Sequence, residues 1–71
     1  MDPVLINGAD IEGQRVIVDM EDNREVSLDF PVVVRRVTIY DYGKGMVVET
    51  VDGKITRYTA EQLIRQAKAA V

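Results

Sequence analysis

Apolar and polar residues alternate with a period of two along most of the chain and take up helical spacing only at its C-terminal end. The cleanest alternation runs from Arg24 to Phe30, where Val26, Leu28 and Phe30 point one way and Glu25, Ser27 and Asp29 the other. Gln14 to Met20 repeats the pattern, with Val16, Val18 and Met20 opposed to Arg15 and Asp19. Val4 to Ile6 reads as a short first strand ended by the turn pair Asn7-Gly8.

Side-chain parity selects the turn between the two clean strands. A two-residue loop at Asp22-Asn23 would set Asp19 opposite Val26 on the core face, where an unpaired carboxylate is costly. A three-residue loop, Glu21-Asp22-Asn23, instead pairs Met20 with Arg24, Val18 with Val26 and Val16 with Leu28. Asn23 tolerates the left-handed backbone that such a loop needs at its last position.

Pro31 removes a ladder donor, so the chain is expected to bend there. The run Val32 to Tyr42 changes phase midway: Val32 and Val34 share one parity, Val37 and Ile39 the other. A β-bulge at Arg35-Arg36 restores a single apolar face. Gly43-Lys44-Gly45 then turns the chain into Met46 to Val51, and Asp52-Gly53 reads as a two-residue hairpin turn into Lys54 to Tyr58. In that register Val51 faces Lys54, Glu49 faces Thr56 and Val47 faces Tyr58, leaving Met46, Val48, Thr50, Ile55 and Arg57 on the other face. Val16–Val26 and Met46–Thr56 are faintly alike, but common turn chemistry accounts for this better than duplication, and the unequal predicted loops argue against a repeat.

Thr59-Ala60-Glu61-Gln62 matches a capping box, and Ala60, Leu63, Ile64, Ala67 and Val71 form a narrow apolar stripe at helical spacing. A helix over about 59–70 is too short to stand alone and must dock. The predicted core is Val16, Val18, Val26, Leu28, Phe30, Val34, Val37, Ile39, Val47, Val51 and Tyr58. The fold expected for residues 1–71 is a single domain, mainly β with one C-terminal α-helix (α+β). Five or six antiparallel strands form a meander curled into a small SH3-like barrel, with the helix capping one end or face. An open sheet with the helix on one side is the alternative.

Composition narrows the chemistry. With 46% hydrophobic residues in 71, a packed core is expected, but a chain this short buries only about 60% of its unfolded surface. There is no Cys and no His, which excludes disulfides and the usual zinc sites and favours self-association as the extra source of stability. The formal charge of −3, from 9 basic and 12 acidic residues, is too acidic for a generic phosphate binder and too weak for a nucleic-acid mimic. Met1-Asp2-Pro3 carries no basic leader region and no apolar run approaches about 18 residues, so a cytoplasmic protein without membrane insertion is expected.

No enzyme is expected. A nucleophilic triad lacks its base, and Ser27 is the only serine. Gly43-Lys44-Gly45 lacks the spacing of a phosphate loop, so it reads as a hairpin turn. Asp19, Glu21, Asp22 and Asp29 cluster near one hairpin without the glycine and later glutamate of a calcium loop, and read as a solvated tip. Catalytic, metal and cofactor residues are therefore none, and no small-molecule substrate is inferred.

The residues left over are the tyrosines and nearby cations. Tyr40, Tyr42, Met46, Val48, Ile55 and Arg57 are expected to form an apolar face that one short helix covers only in part. Helix cover, a protein interface and a base-stacking platform compete for this face. The expected function is a non-catalytic protein-interaction or regulatory module that forms a homo-oligomer or binds a protein partner there. The alternative is a small barrel for single-stranded nucleic acid, with Arg35, Arg36 and Lys44 adding phosphate contacts.

Overall fold

The computed structural model describes residues 3–69, so Met1, Asp2 and the Val71 end of the predicted apolar stripe lie outside it. Six antiparallel strands are followed by one helix: β1 (Ile6–Glu12), β2 (Arg15–Met20), β3 (Glu25–Asp29), β4 (Val34–Tyr40), β5 (Gly45–Thr50), β6 (Ile55–Thr59) and α1 (Ala60–Ala69). The ladders do not close into the expected SH3-like barrel. They form two three-stranded sheets, in the orders β1-β2-β3 and β4-β5-β6. The chain bends at Pro31, where β3 ends and the path crosses to the second sheet.

The β2–β3 hairpin has the predicted register, with Val18 opposite Val26 and Val16 opposite Leu28. Its loop is Glu21-Asp22-Asn23: the Asn23 N–H donates to Met20 O at 3.0 Å, and Asn23 takes a φ of 71°. The β4 bulge also falls where expected, between Val34 and Arg36, so that Val34 and Val37 both face inward. The capping box forms in full. The Gln62 N–H donates to Thr59 Oγ1 at 3.1 Å, and the Thr59 N–H donates to Gln62 Oε1 at 2.9 Å.

Besides the turn expected at Gly43-Lys44-Gly45, which falls at Asp41–Lys44 with β4 ending at Tyr40 and Gly45 already in β5, two expectations require correction. Asn7-Gly8 is not a turn, because β1 runs on to Glu12 and absorbs Asn7 as a bulge between the pairs Ile6–Met20 and Gly8–Asp19. Gly13-Gln14 makes the turn, with a φ of 64° at Gly13. The second correction has larger consequences. The β5–β6 loop has three residues, Val51-Asp52-Gly53, with the Thr50 N–H donating to Lys54 O at 3.0 Å and Gly53 taking the left-handed position at a φ of 86°. Glu49 therefore pairs with Ile55, Val47 with Arg57 and Met46 with Tyr58. The two-residue register would have put Glu49 on the core side between Val47 and Val51, the same burial penalty that settles the first hairpin.

With the loops equal in length, the two sheets prove to be built alike. The pairs Arg15–Asp29 and Val18–Val26 recur as Gly45–Thr59 and Val48–Thr56. The β1 bulge at Asn7 recurs in β4 at Arg35. Even the isolated hydrogen bonds recur: Glu21 N–H to Leu5 O matches Val51 N–H to Val33 O, and Phe30 N–H to Gln14 O matches Ala60 N–H to Lys44 O. The units also touch reciprocally. The Val34 N–H donates to Gly13 O at 2.9 Å, while Gly43, the counterpart of Gly13, packs against the backbone of Ile6, the counterpart of Val34. Reciprocal contact of this kind is the signature of a two-fold relation. At aligned strand and turn positions only Ile11/Ile39, Gly13/Gly43, Val18/Val48 and Asp22/Asp52 are identical, which is why the likeness is faint in the sequence.

One core joins the units. Ile6, Val16, Val18, Met20, Val26 and Leu28 of the first sheet meet Val34, Met46 and Val48 of the second, and Ala60, Leu63 and Ala67 of α1 complete the cluster. The helix touches both β3 and β6. Of the predicted core, Phe30, Val37 and Tyr58 pack at its margin, Val47 is half-buried on the outer face, and Ile39 and Val51 are exposed.

Candidate interaction surface

The outer face of β4-β5-β6 follows from the register. Arg36, Thr38 and Tyr40 of β4 stand beside Glu49, Val47 and Gly45 of β5, which in turn pair with Ile55, Arg57 and Thr59 of β6. The predicted residues Tyr40, Ile55 and Arg57 are thus brought onto one face, and Ile55 and Tyr40 are 56% and 42% exposed. The bulge turns Arg35 outward next to Arg36. Arg35 is already engaged: its guanidinium contacts Glu49 Oε2 at 3.3 Å and donates to the Val51 carbonyl at 3.1 Å. Among the described residues Arg36, Lys44 and Arg57 form no ion pair.

Met46 and Val48 do not belong to this surface. Both are fully buried, because the three-residue loop at Val51-Asp52-Gly53 pairs β6 so that the inward residues of β5 are Met46, Val48 and Thr50. The helix packs on that inner side with Leu63 and leaves Tyr40 and Tyr42 uncovered. Val47, Thr38 and Glu49 are the face residues that sequence reasoning missed. The signal that could have found them was the parity of Glu49, which no apolar core accepts unpaired.

Tyr40 is partly held by its own chain. Its ring lies over Gly45, its cross-strand partner, where a Cβ would overlap the ring atoms. Tyr42 is different. Asp41, Tyr42 and Gly43 form a turn of three successive left-handed residues, with φ values of 55°, 54° and 92°. A non-glycine residue there carries a steric cost of about 1–2 kcal/mol. Gly43 is buried against Leu5 and Ile6, and the Lys44 N–H donates to Asp41 O at 3.0 Å, which together fix the turn. The result is a tyrosine 93% exposed at the Tyr40–Gly45 end of the sheet, with Lys44 beside it.

The outer face of β1-β2-β3 has the same backbone and the opposite chemistry. Asp10, Glu12, Asp19, Glu25 and Asp29 project from it around the half-buried Ile17, against the single cation Arg15. Arg15 Nε donates to Asp29 Oδ1 at 2.9 Å, and this bond with its ion pair raises the Arg15 guanidinium above its ordinary pKa. An open depression of about 440 Å³ lies here, lined by Glu12, Gln14, Arg15, Asp29 and Phe30. The acids are spread over three strands, and among the described residues no three acidic side chains converge as a metal-binding set. No helix of the described residues is long and apolar enough to cross a membrane.

Compared with known proteins, the chain matches no family model, no curated protein and no solved structure.

Proposed function

We propose that this chain is a non-catalytic protein-interaction module that meets its partner with the outer face of β4-β5-β6. The observation that carries this reading is the exposure of Tyr40 and Ile55 beside Arg57 on a sheet whose other side is already filled by the core and α1. Tyrosine and arginine are enriched where proteins meet, because each joins a large contact area to a directed polar group. Tyr42 extends the surface at one end as an exposed anchor. Affinity capture from the host with the wild type and with Tyr40→Ala/Ile55→Asp tests the reading. Gln66→Glu, exposed on α1 and away from both outer sheet faces, serves as the control. The double variant is expected to lose the proteins that wild type and control retain. A double variant that keeps a native circular dichroism spectrum and captures the same proteins would overturn the proposal.

A second reading uses the same face. Arg36, Tyr40 and Arg57 are co-facial on an antiparallel sheet, an arrangement suited to stacking and neutralising a single-stranded nucleic acid. It requires salt-dependent binding to mixed-sequence oligonucleotides that Tyr40→Ala/Arg57→Ala abolishes. Absence of binding at low salt removes it.

A further inference from the structure

We propose that the partner of the β4-β5-β6 face is the acidic β1-β2-β3 face of a second copy, so that copies associate head to tail. This rests on the reading of β4-β5-β6 as a docking surface and names what docks there. The first ground is shape. The two outer faces carry the same strand order, pairing register and bulge position, so each presents the same twisted backbone to the other.

The second ground is charge at equivalent positions. Where the first sheet has Gly8 and Ser27, the second has Arg36 and Arg57. Where the first has Glu12 and Glu25, the second has Tyr40 and Ile55. One face therefore shows five carboxylates against Arg15, the other three guanidiniums against Glu49. Each has a single half-buried aliphatic residue at the centre of its middle strand, Ile17 and Val47. Two acidic faces repel and two basic faces repel, whereas unlike faces attract, so the charges select the heterologous contact and reject the isologous ones. A heterologous contact leaves one free face of each kind at the ends and lets the assembly grow or close into a ring.

Sedimentation of the full chain at about 50 mM and about 500 mM salt tests this, because charge pairing at an exposed interface is screened over that range. The weight-average mass is expected to rise with protein concentration at low salt and to return to that of the monomer at high salt. Arg36→Glu/Arg57→Glu makes both faces acidic, and Asp10→Lys/Asp19→Lys/Glu25→Lys makes both basic. Each variant alone is expected to stay monomeric with a native circular dichroism spectrum. Their equimolar mixture is expected to associate, since it restores one unaltered contact between the acidic face of one and the basic face of the other. A wild type that stays monomeric at low salt, or a mixture of folded variants that stays monomeric, overturns the proposal. Association that appears only when a single-stranded oligonucleotide is added overturns it in favour of nucleic acid. If the wild type is monomeric while Tyr40→Ala/Ile55→Asp still loses captured proteins, the docking face stands and only this choice of partner falls.

Discussion

At the residue scale, the turns carry the most specific chemistry. Asp22 and Asp52 occupy equivalent places in the two hairpin loops, and each accepts the backbone N–H two residues on. The Arg24 side chain, bonding at 2.6 Å, holds the Asp22 carboxyl below its ordinary pKa, and the Thr50 hydroxyl, donating at 2.5 Å, does the same for Asp52. A carboxylate whose pKa is depressed by folding adds stability that is present above its unfolded value, near about 4, and is lost as pH falls through the lower folded value. Thermal melts of the wild type are accordingly expected to drop in the acid range. Asp52→Asn should melt lower at neutral pH with a shallower acid drop. The glycines of the β4–β5 connection give a sharper contrast. A Cβ at Gly43 would lie 2.6 Å from the Ile6 carbonyl oxygen at a φ of 92°, so backbone would have to move. The atoms nearest a Cβ at Gly45 are the outer atoms of the Tyr40 ring, which can swing away. Denaturant titration is expected to show Gly43→Ala losing about 1–2 kcal/mol or more and Gly45→Ala distinctly less.

At the scale of the element, β5 shows how one residue of register decides which side chains are core. Val47 and Val48 are chemically identical neighbours, yet Val48 is sealed between the sheets and α1 while Val47 lies between Thr38 and Arg57 on the outer face. Val48→Asp would bury a carboxylate without a partner and is expected to abolish the cooperative thermal transition. Val47→Asp places the same group beside Arg57 and is expected to retain a native melt within about 1 kcal/mol of wild type. If both melted alike, the three-residue β5–β6 loop would be wrong. The helix is likewise defined by its ends and by one face: the capping box orders its first turn, but ten residues are too few for a free helix in water, so Leu63 and Ala67 must be buried for it to persist.

On the scale of the whole molecule, two similar three-stranded units share one core, and the helix that follows the second unit packs against both. Neither sheet has a second layer of its own, so each depends on the other and on α1 for burial. Leu63, fully buried where these parts meet, is the place to probe that dependence. Leu63→Ala is expected to cost about 2–5 kcal/mol, a large share of the about 5–15 kcal/mol typical of a folded domain. Hydrogen exchange should then show β2 and β5 losing protection together. Loss confined to β5 would mean the units fold separately.

Local chemistry sufficed for much of this architecture. The β2–β3 loop, the β4 bulge and the capping box each follow from residues adjacent in the chain, because a buried charge, a shift of apolar phase or a free helix amide is costly wherever the element packs. The partition of the exposed tyrosines from Met46 and Val48 was not settled in that way. Asp52-Gly53 fits a two-residue or a three-residue turn; the parity of Glu49 favours the longer one, and the burial of Met46 and Val48 in one core with Leu63 fixes it. The kinship of the two sheets was equally hidden, since almost none of its equivalent residues are the same and it resides in register and reciprocal contact. Sequence determined the strands from β2 to β6 and the helix, but not the course of β1, which runs through the expected Asn7-Gly8 turn to Glu12. Tertiary packing decided which side of the second sheet faces water, because that depends on what the rest of the chain leaves uncovered.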